Sequence, residues 1–320
     1  KTRQANAGLD FGFFDNRISG SADFYIQNTT DLLLERQLPN ASGFSSIVEN
    51  IGSTRNKGVE VSLRGVVIDN PKHKFKWVNQ LTFTRNKEEI VSLYNGKVDD
   101  IGNRWFIGYP VNTFFDNEKI GIFQNDNKDK DLITQYNSNG GTFAVGEIKI
   151  RDKDGNGKID ALDRVILGSA VPKWYGSINS TLEFEGFDFS ILVFARQGQM
   201  INNDQSLLYE GRNNWLKVDY WTPTNPTNAF PKPVSGRRGP LFGGTLAYQD
   251  GSFVRIRNIS LGYRLPESFQ KRLRTSNFRI YVAALNPVLF TNFRGIDPEG
   301  SPGIATPSVR TFMGGVNITF

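Results

Sequence analysis

The sequence predicts an all-β chain: an antiparallel transmembrane β-barrel portion whose strands cross the bilayer and whose long loops gather on one side. Three observations predict it. Apolar and polar residues alternate at period two along most of the 320 residues. The alternating segments are about 10 residues long, the length a tilted membrane-spanning strand needs. Their connections switch between tight turns and long polar loops, the asymmetry of membrane barrels rather than the even spacing of a sandwich.

The elements follow in order. The opening "KTRQANAGLDFGFF" already alternates like a strand. "ISGSADFYI" then aligns Ile18, Gly20, Ala22, Phe24 and Ile26 on one face. "VEVSLRGVVI" aligns Val59, Val61, Leu63, Gly65 and Val67, with Glu60, Ser62 and Arg64 opposite. "FKWVNQLTF" aligns Phe75, Trp77, Leu81 and Phe83, interrupted by Asn79. "WYGSINSTLEF" aligns Trp174, Gly176, Ile178, Ser180, Leu182 and Phe184, and "FDFSILVF" aligns Phe187, Phe189, Ile191 and Val193. "FRIYVAA" and the terminal "RTFMGGVNITF" close the series, about nine segments in all.

Tight turns are expected at 15–16, 69–73 and 185–186, and a short helix opened by Pro266 within 266–276. Long loops are expected over about 28–54, 86–172, 198–251 and 287–308. In lipid every backbone N–H and C=O needs a partner, so such strands must close on one another. Phe13, Phe14, Phe184, Phe187 and Phe320 sit beside the tight turns or the C-terminus, as an aromatic girdle does. If the tight turns face the periplasm, the first and last strands both run toward it. The count is then odd, and the chain reads as the C-terminal part of a larger barrel, with the plug domain and N-terminal strands outside residues 1–320.

Composition excludes other classes. Cysteine is absent, so there is no disulfide framework, zinc-thiolate site or cysteine nucleophile. The net charge of +6 does not make a nucleic-acid binder, because "PKHKFK" and "KRLR" are short clusters in turns. His73 is the single histidine and has no ligand partner in the sequence. No apolar run is long enough for a transmembrane helix. No HExxH, GxSxG or P-loop is present, so an enzyme is not expected.

One stretch carries metal chemistry. In "RDKDGNGKIDALDRVILG", Asp152, Asp154, Asn156, Lys158, Asp160 and Asp163 occupy positions 1, 3, 5, 7, 9 and 12 of a calcium loop, with Gly157 at the turn position 6. Asp replaces the usual Glu at position 12, a shorter reach toward the ion. The flanks "FAVGEIKIR" and "RVILGSAVPKW" read as strands, so a helix-pair sensor is not expected. The expectation is a structural Ca²⁺ or Mg²⁺ that stiffens a loop. The alternative is a glycine-rich turn with solvated carboxylates.

The segments "NIGSTRNKGVEVSL" (50–63), "DKDGNGKIDALDRVILGSAVPKWYGSINSTLEFEGFDFSILVFARQGQMI" (152–201), "FVRIRNISLGYRLP" (253–266) and "NPVLFTNFRGIDPEG" (286–300) resemble the C-terminal half of SusC/RagA-type TonB-dependent transporters of the Bacteroidota outer membrane. The resemblance implies the last nine or so strands of a barrel of roughly 22. It implies import of glycans, peptides or similar oligomers across the outer membrane of a Gram-negative bacterium. A SusD-like surface lipoprotein would cap the barrel, an N-terminal barrel and plug portion would complete it, and TonB would act through that portion. Outer-membrane lipid would surround the wall.

Loop aromatics are the remaining candidates. Trp105, Tyr109, Trp215, Tyr220 and Trp221 offer flat faces to an oligosaccharide or peptide substrate or to the cap protein, or else pack loop against loop. "GRRG" (236–239) suits acidic ligands or an exposed loop. A soluble calcium-stabilised β-sandwich that binds glycans is the alternative reading of the whole chain.

Overall fold

In the computed structural model, residues 1–38, 40–203, 217–234, 239–300 and 308–320 are described. The strands in chain order are β1 (Thr2–Phe13), β2 (Ile18–Gln37), β3 (Ser46–Asn70), β4 (Phe75–Ser92), β5 (Thr113–Asn117), β6 (Lys119–Ile122), β7 (Ile148–Ile150), β8 (Arg164–Ser169), β9 (Trp174–Phe184), β10 (Phe187–Gln197), β11 (Met200–Asn202), β12 (Tyr248–Asp250), β13 (Phe253–Arg264), β14 (Asn277–Thr291) and β15 (Thr311–Thr319). Two helices accompany them, α1 (Asn127–Ser138) and α2 (Glu267–Arg272).

Nine strands form one antiparallel sheet in the order β1-β2-β3-β4-β9-β10-β13-β14-β15, each paired with its sequence neighbour among the spanning strands. The four connections β1–β2, β3–β4, β9–β10 and β13–β14 are short and lie at one edge of the sheet, where β15 also ends. At the tight turns, Phe14, Asp15, Asn16, Lys74 and Glu185 take positive φ, as hairpin reversals of this hand require. The connection between β13 and β14 is the expected short helix, with Pro266 at its N-cap.

Directly opposed residues share a face, so the register sorts the sheet into an apolar and a polar side. One row across eight strands reads Phe11, Gly20, Leu63, Leu81, Ile178, Val193, Ile256 and Val288. The next but one on that face reads Trp77, Leu182, Phe189, Leu261, Val282 and Gly314. The opposite face carries Asp10, Ser21, Ser62, Thr82 and Ser177 in one row and Asp23, Glu60 and Thr84 in another. A sheet with one largely apolar face and one largely polar face has the pattern of a barrel wall between lipid and a watery lumen.

The polar interruptions of the apolar face have an account. Asn79 pairs with Ser180 there, and the indole Nε1 of Trp77 donates to Ser180 Oγ at 2.9 Å. The hydroxyl therefore has a partner, which matters where no water reaches it. Phe13, Phe14, Phe184, Phe187 and Phe320 cluster at the short-turn edge and remain exposed. Phe75 packs edge-on against Phe184, and Phe187 lies tilted against Tyr263.

Two expectations are corrected in extent. The loop expected over 28–54 is only residues 38–45, because β2 and β3 stay paired out to Gln37 and Ser46. Their upper halves, "NTTDLLLERQ" and "SIVENIGSTRN", lack the clean alternation of a spanning strand. A ribbon that has left the bilayer meets water on both faces, so backbone pairing no longer requires alternation. Register shifts between Thr29 and Leu33 mark where the regular ladder ends, with Asp31 at φ 59°. The 86–172 segment likewise begins later, β4 reaching Ser92, and holds four short strands and a helix.

Candidate functional site

The two longest connections, 93–173 and 198–252, fold together beyond the long-loop edge of the sheet. Short strands pair as β5–β8, β6–β7 and β11–β12. Ile122, Ile148 and Ile150 from the first connection pack with Trp221, Phe230 and Leu246 from the second in one buried cluster. A second cluster holds Phe123, Tyr136 and Phe143. Phe143 also stacks on Phe242 at 5.8 Å, joining the connections again.

Helix α1 was not legible as a helix. Its polarity is high, and it lies over the Phe123 cluster through Leu132, Ile133 and Tyr136. Asp126 caps it by accepting from Asp129 N at 2.8 Å. Asp129 is buried, accepts from Gln124 N at 2.7 Å and pairs with Lys149 at 2.5 Å. Such a buried carboxylate is tolerated because its charge and lone pairs are both met.

The calcium-like loop lies beside the C-terminal end of α1. Carboxylate oxygens of Asp152, Asp154 and Asp163 come within 4.8 Å of one another. Asp163 is fully buried. Its Oδ1 accepts from Lys153 N at 2.8 Å and its Oδ2 from Asp160 N at 2.7 Å. Asp152 accepts from Gly155 N at 2.7 Å and Gly157 N at 2.8 Å. Gly157 has φ +79°, and a Cβ there would meet the amides of Asn139 and Gln135. Asn139 Nδ2 donates to Gly157 O at 2.9 Å, so α1 and the loop brace each other.

The other three candidate ligands are engaged differently. Asp160 stands outside the three-carboxylate group. It caps the short 3-10 turn Ala161–Asp163 by accepting from Leu162 N at 2.8 Å, and Lys158 Nζ lies 3.6 Å from its other oxygen. Asn156 Oδ1 accepts from Lys158 N at 2.8 Å and its Nδ2 donates to Asp154 at 2.9 Å. Of the four carboxylates among the six residues, three therefore converge. Burial pushes the Tyr136 phenol up, and the charges of Asp152 and Asp163 add to the effect. The negative field of the loop thus extends into the neighbouring aromatic cluster.

The loop aromatics separate by burial. Trp221 is only 5% exposed, and its Nε1 donates to Gln124 Oε1 at 2.9 Å. It is a core residue of the joined loops, the loop-against-loop alternative for that ring. Trp105 is half-buried in a bridge with Asp100. Tyr109 and Tyr220 are exposed. Trp215 lies outside the described residues, as does most of "GRRG".

Sequence reasoning missed a cleft of about 570 Å³ between the joined loops and the end of β14. Lys119, Asn117 and Arg294 line it, with Tyr248 beside them. Tyr248 donates to Asp116 Oδ2 at 3.0 Å. Burial, and then Asp116, push the phenol up to about 12, so it stays a donor at neutral pH. No motif marks these residues. The available signal was positional: Asn117, Lys119 and Tyr248 each stand at the end of a short strand, and Arg294 follows β14.

The connection after β14 is tied down as well. Arg255 of β13, buried, lies 2.5 Å from Asp297 and 3.4 Å from Glu299, and Arg257 pairs with Glu299. "GIDPEG" is thus held against the sheet by two arginines flanking Ile256.

Comparison with known proteins gives the following. The family model described as TonB dependent receptor-like, beta-barrel matches residues 1–286. TonB-dependent receptor P3 of Formosa agariphila is 34% identical over 348 residues, covering 100% of this chain and 34% of that protein. TonB-dependent receptor SusC of Bacteroides thetaiotaomicron is 29% identical over 347 residues, covering 100% and 32%. Among solved structures, the RagAB peptide transporter superposes with a TM-score of 0.76 at 26% identity, over 100% of this chain and 35% of that one. The RagAB peptide importer in its open-open state gives 0.77 at 28%, over 100% and 34%. The chain spans about a third of the length of the curated relatives it matches.

Proposed function

Because the chain belongs to the TonB-dependent receptor-like β-barrel family, we propose that it forms the C-terminal wall and surface loops of a SusC/RagA-type outer-membrane nutrient importer. The carrying observation is the nine-stranded sheet with one largely apolar face and its long connections on one side. The apolar rows would meet lipid, the Asp, Glu, Ser and Thr rows would line a hydrated lumen, and the joined loops would stand outside the cell. The cargo would be a glycan, a peptide or a similar oligomer. A SusD-like lipoprotein would seat on the loops, and energy would arrive from TonB through the plug portion of the whole protein.

This reading assigns the chain transport and not catalysis. The residues here act by positioning. The wall excludes lipid from the cargo path, and Asp188 with Arg279 and Arg255 with Asp297 hold the lumen face and the rim in register. The soluble sandwich is disfavoured by the large apolar residues left exposed along one face, among them Leu9, Phe24, Leu81, Ile178, Leu261, Val282 and Val316.

We further propose that Ca²⁺, or Mg²⁺ less suitably, is held by Asp152, Asp154 and Asp163. Three carboxylates this close repel one another unless a cation lies among them, and oxygen donors suit these hard ions. The ion would supply only rigidity. The fit is partial, since the Asp160 carboxylate lies outside the group. Water would complete the coordination.

The test of the main reading is fractionation of the full-length protein expressed in a Gram-negative host. It should be recovered in the outer-membrane fraction, require detergent, and change electrophoretic mobility on boiling as closed barrels do. Recovery as a soluble monomer would refute it.

A further inference from the structure

A group of cations tops the apolar face of the sheet on its first four strands. The row Leu9, Ala22, Val61 and Phe83 is followed upward on that face by Ala7, Phe24, Val59 and Arg85. The row above that is Ala5, Ile26, Lys57 and Lys87, and the next is Arg3, Asn28, Arg55 and Glu89. Alternation keeps all of them on the side that the importer reading turns toward lipid. Arg3, Lys57, Arg85 and Lys87 are exposed there.

The strand sets their height. Phe75 stands at the short-turn edge, ten positions before Arg85. Ten residues of a strand tilted by about 40° climb roughly 25 Å, the height of the apolar band on an outer-membrane wall. Phe83 packs against Trp174 at 5.9 Å just below, as an upper aromatic girdle does. The cations therefore stand where acyl chains give way to headgroups. A charge is costly at the middle of the bilayer and tolerated at this border.

The group is short of anions. Lys57 and Lys87 are directly opposed across β3 and β4, and like charges so placed repel. Glu89 is the single carboxylate in these three rows, and it takes Lys87 at 2.9 Å and Arg55 at 3.6 Å. Lys57 and Arg85 have no ion-pair partner among the described residues. A groove of about 640 Å³ joins apolar and cationic surface here. Ala5, Ala7, Phe24 and Ile26 line it beside Lys57, Arg85 and Lys87, and no carboxylate does.

We propose that this patch binds a phosphorylated lipid of the outer leaflet, with Lys57, Arg85 and Lys87 receiving its phosphate and an acyl chain lying in the groove beside Ala5 and Ala7. The inference rests on the importer reading above, which supplies the membrane and its outer side. A phosphate monoester carries close to two negative charges at neutral pH and three acceptor oxygens. It can sit between two opposed ammonium groups and accept from a guanidinium as well. A phosphodiester headgroup brings one charge to the same three cations. The small side chains of Ala5 and Ala7 leave room for a chain next to Phe24 and Ile26.

The experiment uses the full-length transporter with its lipoprotein partner, purified in detergent and stripped of lipid. Native mass spectrometry titrates it with monophosphoryl lipid A, with the same lipid lacking its phosphate, and with phosphatidylglycerol. Monophosphoryl lipid A should bind, the other two should bind at least about tenfold more weakly, and inorganic phosphate should not displace it. Each cation at a membrane surface is worth about fivefold, so Lys57→Gln combined with Arg85→Gln should lose about tenfold or more. That variant should keep the heat-dependent mobility of a folded barrel. Lys57→Arg should bind as the parent does, and Lys128→Gln, on the exposed face of α1, should change nothing.

Equal binding with and without the lipid phosphate, equal or tighter binding of phosphatidylglycerol, displacement by inorganic phosphate, indifference to the double variant, or no bound lipid at all would each overturn the proposal. The underlying reading fails differently. A soluble, heat-insensitive protein sinks the importer itself. A heat-modifiable outer-membrane barrel that gives any of those results sinks only the lipid site.

Discussion

Arg279 on β14 reaches Asp188 on β10 across an intervening strand, its Nε and Nη2 lying 2.8 and 2.5 Å from the two carboxylate oxygens. The strand between them is β13, and the residue crossed is Gly262. A Cβ on Gly262 would fall within the guanidinium. Tyr25 uses the same device at the other end of the sheet. It passes over Gly58 of β3 and donates to Asn86 of β4 at 3.1 Å. Each bond links strands that share no backbone ladder, so it resists shear of the wall.

Gly262→Val should therefore displace Arg279 and leave Asp188 without its partner. The loss should be about 1–3 kcal/mol, the cost of an unmet charged hydrogen bond at a partly exposed site. Denaturant titration of the full-length barrel reads it. Asp188→Asn should lose a similar amount, and the double variant should lose little more than either alone, because one interaction is removed in all three.

The rim contact of Arg255 with Asp297 is more deeply buried, both side chains being at most 5% exposed. Arg255→Met should cost about 3–5 kcal/mol, since it strands a buried carboxylate. Hydrogen exchange across 292–300 should rise in the same variant.

The same pair sets a pH dependence. Burial alone would raise the Asp297 carboxyl. Hydrogen bonds from the Ser308 side chain and from the Glu299 and Ser308 backbone, with the charge of Arg255, outweigh burial and hold it below the usual carboxylate range. A carboxyl depressed in the folded state adds stability that is present above its unfolded value, about 3.9. That stability is lost as pH falls through the folded value. Exchange protection of 292–300 should be flat from neutrality to about pH 5 and fall below about pH 4. A fall centred near pH 6.5 would contradict this.

Trp221 gives a test of loop architecture. Trp221→Ala should cost about 3–5 kcal/mol in the stability of the joined loops, from the cavity and the lost bond to Gln124. Tyr109→Ala, at an exposed ring, should stay within about 0.5 kcal/mol. Limited proteolysis of the loops distinguishes the two.

For the acidic loop, about 1 mM Ca²⁺ should slow proteolysis near 152–163, and Asp163→Asn should abolish the effect. Protection that is the same with chelator and with Ca²⁺ would remove the metal from the account.

How much of this was legible follows one physical rule. Where lipid faces a strand, side chains must alternate, and segments such as Val59–Val67 and Trp174–Phe184 announce themselves. Where water lies on both sides, alternation is released, so the upper ribbon of β2 and β3 read as loop. Helix α1 was hidden because its buried face is short, carried by Leu132, Ile133 and Tyr136 amid polar residues. In the acidic loop, spacing named six candidates, and of their four carboxylates Asp152, Asp154 and Asp163 lie together while Asp160 does not. Asp160 at position 9 is drawn off to cap a 3-10 turn, a local choice that the ligand pattern does not encode. The sequence left Trp221 open between a contact face and loop packing because its burial depends on Ile122, Ile148 and Ile150, some 70 to 100 positions away. Lys119 and Arg294 had no motif because three connections bring them together.

The orientation of the sheet in the membrane tests the account most directly. This chain has no native cysteine, so single cysteines report cleanly in an otherwise cysteine-free full-length protein. Lys128→Cys on α1 and Lys72→Cys at the β3–β4 turn are both exposed and lie at opposite edges of the sheet. In intact cells a membrane-impermeant maleimide should label Lys128→Cys and leave Lys72→Cys untouched until the outer membrane is broken. Equal labelling of both in intact cells, or labelling of Lys72→Cys alone, would contradict a wall with its loops outside and its turns within.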